Sequence, residues 1–287
     1  MQFITFKRDG QWTGGITSEG RIVPLSSLCF EESVKTLLNA GPHRVAAVLS
    51  GSQRAFKEKN SVTLALDAVE LGPPVPDPDK ILCIGLNYRD HAEESNLPIP
   101  AVPVVFAKYR NSLIGTNQTI ELPAESREID YEVELAVVIG RKCRGVPESE
   151  ALGYVAGYTV FNDVSARDLQ FATSQWTMGK ALDTFAPMGP GLIPVSAVPN
   201  PQKLELKTWV NGELLQSGST ANMIFSVAQI IEFLSRYMTL VPGDIIATGT
   251  PAGVGFTRKP PRFINSGDLV ETEITGLGRL RNPAMRR

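Results

Sequence analysis

Short alternations of hydrophobic and polar residues, separated by Gly-rich turns, dominate the N-terminal part of this chain. Residues 2–6 (QFITF) and 14–25 (GGITSEGRIVPL) predict short antiparallel strands. Helical spacing predicts a helix over residues 31–49, interrupted at Gly41-Pro42, and a second helix over residues 227–240.

A proline-rich segment divides the chain. Residues 71–80 (LGPPVPDPDK) contain four prolines in ten residues, which is typical of an extended connection and not of the interior of an element. This composition predicts a small N-terminal domain over residues 1–72 and a larger domain over residues 73–287.

The second part of the chain contains further strand and turn signals. Asn211-Gly212 lies inside LELKTWVNGELLQ and predicts a two-residue hairpin turn. VPGDIIATGTPAGVG, which ends at Gly255, predicts a turn, a buried strand and then a Gly-rich loop. This loop lacks the order of a phosphate-binding motif, but its backbone N–H groups can approach a ligand closely. SGDLVETEITGLGRLRN predicts an alternating strand that completes a sheet.

Two glutamates lie in the most apolar of these segments. Residues 129–140 read IDYEVELAVVIG, and the β-branched residues predict a continuous strand. Alternation places Glu132 and Glu134 on one face, with Cβ atoms roughly 6.5 Å apart. Two unpaired buried carboxylates repel each other and resist desolvation, and a divalent cation removes both costs. The alternative is an ordinary strand with one solvated face.

Composition narrows the class of protein. The 287 residues carry a net charge of −2 without runs of lysine or arginine, which argues against a nucleic-acid partner. No apolar stretch is long enough to span a membrane, and residues 1–10 lack the features of a signal peptide. Three cysteines far apart in sequence predict reduced thiols and a cytoplasmic location.

The shortage of soft ligands restricts the kind of metal. His43 and His91 are the two histidines, so a tetrahedral zinc site is disfavoured and an oxygen-bound Mg²⁺, Mn²⁺ or Ca²⁺ is expected. Asp163 ends a predicted strand and supplies a plausible third oxygen ligand. Its alternative role is to cap a helix predicted over residues 165–170.

Two further segments carry candidate chemistry. His91 and Glu94 share a face of a helix predicted over residues 89–96, where the carboxylate can orient the imidazole as a general base. The alternative is a solvated pair on a surface helix. Lys180 lies between Gly and Pro residues near Asp183, in a predicted loop that can bind a carboxylate; otherwise it is a surface lysine.

Five segments in order resemble the fumarylacetoacetate hydrolase family: NYRDHAEE, DYEVELAVVIG, FNDVSARD, GKALDTFAPMGP and PGDIIATGTPAGVG. The resemblance extends from Pro78 to the C-terminus. It implies an α+β, β-rich fold, with a mixed β-roll catalytic domain preceded by a small N-terminal α/β domain. It also implies a homodimer.

The resemblance assigns roles to individual residues. It implies Mg²⁺ or Mn²⁺ bound by Glu132, Glu134 and Asp163. It further implies a His/Glu pair on a mobile lid and a set of substrate-binding side chains: His91, Glu94 and Lys180 as catalytic residues, and Arg167, Gln170, Lys180 and Thr250 as substrate-binding residues.

The expected activity is metal-dependent hydrolysis of a C–C bond in an acylpyruvate, a 2-oxo acid. GLNYRDHAEE resembles the acylpyruvate hydrolase and oxaloacetate decarboxylase branch, and the additional aspartate ligand of true fumarylacetoacetases is missing. Oxaloacetate decarboxylation and keto–enol tautomerisation or isomerisation stay open, the latter on 5-carboxymethyl-2-hydroxymuconate or 2-hydroxyhepta-2,4-diene-1,7-dioate. A hydratase of 2-oxo-4-pentenoate type and an inactive binding relative rank lower.

Overall fold

A twelve-stranded sheet forms the centre of the fold in the computed structural model, which describes residues 1–29, 31–58 and 63–287. The strands of this sheet and of two smaller sheets are, in chain order, β1 (Gln2–Arg8), β2 (Gln11–Ser18), β3 (Arg21–Pro24), β4 (Leu64–Ala65), β5 (Leu71–Gly72), β6 (Ile81–Gly85), β7 (Val104–Lys108), β8 (Leu113–Ile114), β9 (Ile120–Leu122), β10 (Ile129–Asp130), β11 (Val133–Ile139), β12 (Val155–Asn162), β13 (Ser165–Ala166), β14 (Ala186–Pro194), β15 (Glu205–Val210), β16 (Glu213–Ser219), β17 (Ile245–Ala247), β18 (Leu269–Ile274) and β19 (Gly278–Arg286). The helices are α1 (Val34–Asn39), α2 (Pro42–Lys57), α3 (Arg89–Glu94), α4 (Glu148–Ala151), α5 (Arg167–Gln170), α6 (Thr177–Lys180) and α7 (Val227–Tyr237).

The large sheet is mixed. Its order is β4-β3-β2-β1-β14-β12-β11-β17-β6-β7, with β5 paired to β1 and β8 to β14. Strands β11 and β12 are antiparallel, whereas β17 and β6 are parallel. A second sheet has the order β16-β15-β18-β19-β9, and β10 pairs with β13 alone. The predicted β-rich α+β fold class is confirmed.

Strand β11 is buried on both faces, which explains its nearly uninterrupted apolar sequence. Leu135 and Val137 pack in the hydrophobic cluster that includes helix α7 and the second sheet. Ala136 and Val138 pack in the cluster that includes α1 and α2. Burial on both faces therefore holds this strand at the centre of the protein.

Most of the predicted elements are present. The N-terminal strands, the turn at Asn211-Gly212 between β15 and β16, and the strand followed by the Gly-rich loop are confirmed. The interrupted helix is α1 followed by α2, with Gly41 between them, and α2 continues to Lys57. Helix α7 begins at a capping box formed by Ser226 and Gln229.

Three boundary predictions were wrong. Residues 129–140 do not form one strand but are divided between β10 and β11. At the break, the Glu132 N–H donates a hydrogen bond to the Asn162 side chain and the Val133 N–H donates one to the Gln216 side chain. The helix predicted to begin at residue 165 begins at Arg167, after β13. The alternating strand predicted near the C-terminus is a hairpin of two strands, β18 and β19.

The N-terminal segment continues the large sheet. Phe3 of β1 pairs with Leu192 of β14, and β5, which ends at Gly72, pairs with β1. Residues of α1 and α2 share a hydrophobic cluster with β11 and β17. The division into domains 1–72 and 73–287 stays a prediction. No helix in the described part of the chain is long and apolar enough to cross a membrane.

Candidate active site

Three buried carboxylates converge at one end of the β11–β12 pair. Glu132 precedes β11, Glu134 lies within it, and Asp163 follows β12, whose Asn162 pairs with Val133. One oxygen from each carboxylate lies within 4.8 Å of the others, and the three residues are 5%, 2% and 0% exposed. The structure therefore brings together the three metal ligands that the sequence predicts.

Two lysines compensate part of this negative charge. Lys180 Nζ lies 2.8 Å from Glu132 Oε2 and 2.9 Å from Asp163 Oδ2. Lys180 is buried at the end of α6 and not in the predicted loop, and its carboxylate partners belong to the protein. Lys108 Nζ donates to Asp163 Oδ1 at 2.5 Å and to the Val164 carbonyl at 3.0 Å. Asp163 is thus held by two cations and does not cap a helix.

The sequence analysis missed Lys108. Lys108 is the last residue of strand β7, and a lysine at the end of a strand is expected to face solvent. Its side chain is nevertheless fully buried, and that burial holds its pKa below the usual value although Asp163 acts in the opposite direction. Its position directly after the apolar residues VVFA is only a weak indication that Lys108 is buried. No spacing rule connects Lys108 to Asp163.

Glu134 is the carboxylate without a cationic partner in the described structure. Its Oε2 accepts a hydrogen bond from the Gly249 N–H at 2.8 Å. Burial raises the pKa of Glu134 well above its usual value, and the nearby Asp163 and Glu132 charges add to the rise. An all-oxygen donor set with one uncompensated carboxylate fits a hard divalent cation such as Mg²⁺, Mn²⁺ or Ca²⁺.

Glu132 lies in the opposite electrostatic environment. Burial alone would raise its pKa, but Lys180 and Arg167 outweigh burial and hold the pKa at about 2. Arg167 Nη2 lies 2.6 Å from Glu132 Oε1, and its Nε donates to Asp130 Oδ2 at 2.9 Å. Its Nη1 donates to Gln170 Oε1 at 2.9 Å. Arg167 therefore contacts a predicted metal ligand and a predicted substrate-binding residue.

His91 and Glu94 form a second part of the site on α3. His91 Nδ1 and Glu94 Oε1 are 2.7 Å apart, and His91 is only 7% exposed, so the pair is not a solvated one. Because an ionised carboxylate only accepts hydrogen bonds, His91 donates from Nδ1, and Nε2 is then the nitrogen that can act as a base in the neutral ring. His91 also lines the cavity that contains Glu132 and Glu134. This arrangement is suited to a general base.

That cavity has a charged base and an apolar outer wall. Its volume is about 200 Å³, which suits a small acid. Glu132, Glu134, Arg167, Gln170 and Lys180 line its charged base. The apolar side chains that line the remainder are Ile84, Leu86, Leu97, Val104, Phe106, Phe171, Trp176 and Phe256. Apolar walls exclude water and so strengthen the electrostatic interactions inside.

The glycine-rich loop (residues 248–257) donates backbone N–H groups to carboxylates around this cavity. Gly249 donates to Glu134, Gly253 donates to Glu94 Oε2 at 2.9 Å, and Gly255 donates to Asp130 Oδ1 at 2.7 Å. The sequence predicted that the backbone of this loop can approach a ligand closely. In the structure, these N–H groups contact carboxylates of the protein itself. Asp130 was also missed by the sequence analysis, although it lies in the glutamate segment.

Thr250 lies within the same loop and lines the cavity. Its Oγ1 donates to the Val133 carbonyl at 2.9 Å and accepts from Gln216 Nε2 at 2.8 Å. These bonds attach the loop to β11, directly beside the carboxylates. The substrate-binding roles expected of Thr250, Arg167, Gln170 and Lys180 stay predictions.

Lys108→Met is expected to lower the free energy of unfolding by about 3–5 kcal/mol, because it removes one partner of a fully buried ion pair. The matched control is Lys7→Met, since Lys7 pairs with Glu70 on the surface, with both side chains more than two-fifths exposed. We expect that control to change stability by less than about 1 kcal/mol. Urea unfolding at neutral pH measures both, and equal losses would contradict the prediction.

Comparison with known proteins identifies the family. Residues 80–284 match the family model described as fumarylacetoacetate (FAA) hydrolase, C-terminal. This chain belongs to the fumarylacetoacetate hydrolase family. The resemblance seen in the five sequence segments is therefore confirmed.

Individual members of the fumarylacetoacetate hydrolase family are similar to this chain in sequence or in structure. The mitochondrial oxaloacetate tautomerase FAHD2B of Bos taurus is 46% identical over 238 residues, covering 82% of this chain and 76% of that protein. The fumarylacetoacetate hydrolase (EaFAH) of psychrophilic Exiguobacterium antarcticum is 36% identical, with a TM-score of 0.87 and 100% of both chains covered. The 2-hydroxyhepta-2,4-diene-1,7-dioate isomerase of Mycobacterium marinum is 34% identical, with a TM-score of 0.77, covering 100% of this chain and 99% of that chain.

Proposed function

We propose that this protein is a metal-dependent keto–enol tautomerase of a small 2-oxo acid. The observation that carries the proposal is that His91, which is paired with Glu94, lines the same cavity as Glu132 and Glu134, whose carboxylates cluster with that of Asp163. Tautomerisation needs a base that moves a proton and a positive charge near the oxygen where negative charge develops. The similarity to a protein named oxaloacetate tautomerase supports the same choice.

The residues of this chain have separate tasks in the proposed reaction. Glu94 keeps the proton on His91 Nδ1, so that Nε2 can remove a proton from C3 of the 2-oxo acid. Lys180 and Arg167 line the base of the cavity and provide positive charge for the substrate carboxylate. When bound by the three carboxylates, a divalent cation supplies charge that favours the enolate oxygen. Transfer of the C3 proton from His91 to the enolate oxygen gives the enol and returns His91 to its neutral form, and the reverse sequence gives the keto form.

Mg²⁺ is the cation we propose, with Mn²⁺ or Ca²⁺ as alternatives, because the donor set consists of carboxylate oxygens. The homodimer and the cytoplasmic location expected from the sequence stay proposals. The bovine relative is named as a mitochondrial protein.

Hydrolysis of an acylpyruvate C–C bond, the activity first expected from the sequence, is the second candidate. The same His91–Glu94 pair would remove a proton from water, which would then attack the carbonyl distal to the 2-oxo acid. The similarity to a fumarylacetoacetate hydrolase favours it. We place it second because tautomerisation needs only proton transfer, and the 46% identical relative is named for that reaction.

A two-substrate assay separates these functions. We expect the purified protein with Mg²⁺ to accelerate the loss of the enol absorbance of oxaloacetate without forming pyruvate. Chelation of the metal should remove this acceleration, and acetylpyruvate should be cleaved slowly or not at all. Rapid formation of pyruvate and acetate from acetylpyruvate would favour the hydrolase, and pyruvate from oxaloacetate would favour a decarboxylase.

A further inference from the structure

Glu94 is held from two sides. Its Oε1 contacts His91 Nδ1, while its Oε2 accepts hydrogen bonds from the Gly253 N–H at 2.9 Å and from Thr257 Oγ1 at 3.1 Å. Both donors on Oε2 belong to the glycine-rich loop, far from α3 in sequence. The carboxylate that orients the imidazole is therefore itself oriented by this loop.

Each of the two donors has a specific structural requirement. Gly253 has a φ of +101°, and a Cβ at this position would collide with the Leu215 carbonyl oxygen, so glycine is required. Thr257 has one hydroxyl proton, shared between Glu94 Oε2 and the Val254 carbonyl at 3.0 Å. Thr257 does not line the cavity, and its hydroxyl is connected to the reaction centre through Glu94.

Helix α3 itself is short and bounded by unusual backbone. It has six residues, and its N-cap has no side-chain hydrogen bond. Leu86 on one side and Asn96 on the other have φ values of 53° and 52°, a conformation that is uncommon for residues other than glycine. Tertiary contacts, and not helix propensity, must therefore hold α3 in place.

We propose that Thr257 is a positioning residue for the His91–Glu94 pair and that it acts together with the Gly253 N–H. Contact between α3 and the glycine-rich loop completes the base, because both hydrogen-bond donors to Glu94 Oε2 come from this loop. Loss of the Thr257 hydroxyl leaves one donor on Oε2, so Glu94 can rotate and the His91 ring loses its fixed orientation. The proposal deepens the proposed tautomerase function and rests on it.

The test is Thr257→Val, which removes the hydroxyl and keeps the shape of the side chain. We expect kcat for oxaloacetate tautomerisation to fall about tenfold, part of the roughly 10²–10⁴ that a positioned base contributes. KM should stay within about twofold, because Thr257 does not line the cavity. Amide hydrogen exchange should become faster in the peptide that covers residues 86–97.

Two further variants show whether the hydroxyl is responsible. Thr257→Ser keeps a hydroxyl and is expected to restore both kcat and exchange protection. Thr17→Val is the matched control, because the Thr17 hydroxyl donates to the Arg21 carbonyl within the N-terminal hairpin, and its loss should change neither quantity.

Unchanged kcat together with unchanged exchange in Thr257→Val would overturn the proposal. So would a loss of activity that Thr257→Ser fails to restore, since that result points to packing and not to the hydrogen bond. If the wild-type protein has no tautomerase activity, the proposed function fails, but hydrogen exchange in the peptide over residues 86–97 still tests the contact to Glu94 separately.

Discussion

Replacing Glu134 with glutamine is expected to abolish metal-dependent turnover while making the protein more stable. Glutamine keeps an oxygen that can accept the Gly249 N–H, so the local structure is retained. The change removes a buried negative charge that lies near Asp163 and Glu132 without a cationic side-chain partner in the described structure. It also removes one of the three anionic ligands, and we expect turnover to fall at least about 10³-fold because the cation is no longer retained.

Two measurements separate these effects. Calorimetric titration with Mg²⁺ should give no detectable binding to Glu134→Gln. Thermal unfolding in a chelating buffer should show a rise in Tm of roughly 2–4 °C, the shift that about 1 kcal/mol produces in a chain of similar size.

Glu132→Gln is the informative comparison for this variant. It removes the same type of ligand, but Glu132 is paired with Lys180 and Arg167, which would lose a buried partner. Turnover should be lost in the same way, and Tm should fall because two buried cations are left undercompensated. A rise in Tm for both variants, or full turnover by either one, would show that the charge distribution described for this site is wrong.

His91→Ala is expected to lower kcat about 10²–10⁴-fold, the contribution of a positioned general base, without affecting metal retention. His91 is not one of the three carboxylate ligands, and its side chain is hydrogen-bonded to Glu94. Mg²⁺ titration of this variant should therefore give an affinity within about twofold of the wild type. A loss of Mg²⁺ binding equal to the loss of kcat would contradict the role of a base.

Glu94→Gln is the variant to compare with His91→Ala. The amide can still contact His91 Nδ1, but it no longer provides a negative charge that fixes the tautomer and stabilises the protonated ring. We expect a smaller decrease in kcat than for His91→Ala. A larger decrease would mean that Glu94, and not His91, performs the proton transfer.

Local patterns in the sequence predicted the core of this site because alternation and spacing act over a few residues. Glu132 and Glu134 are separated by one residue, so alternation predicts that they share a face, and this holds although Glu132 lies just before β11. His91 and Glu94 are three residues apart, and helix geometry does the same for them. Asp163 required one additional step, the expectation that polar groups at strand ends face a cleft.

The remainder of the site depends on contacts between distant segments, which no local pattern contains. Lys108 reaches Asp163 across 55 positions of sequence, and Gly253 reaches Glu94 across 159. The break between β10 and β11 has a similar origin, because the Gln216 side chain that interrupts it comes from the second sheet. Lys180 was predicted to meet a carboxylate, but sequence could not show that its partners are Glu132 and Asp163.

The two halves of the cavity differ in how readily mutation can change them. The glycine-rich loop contacts Glu134, Glu94 and Asp130 through main-chain N–H groups, which most side-chain substitutions leave in place. The outer wall consists of apolar side chains such as Leu97, Val104 and Trp176, each of which one substitution can enlarge or reduce. Directed evolution towards a new 2-oxo acid can therefore diversify the outer wall while the glycine-rich loop keeps the reaction centre intact.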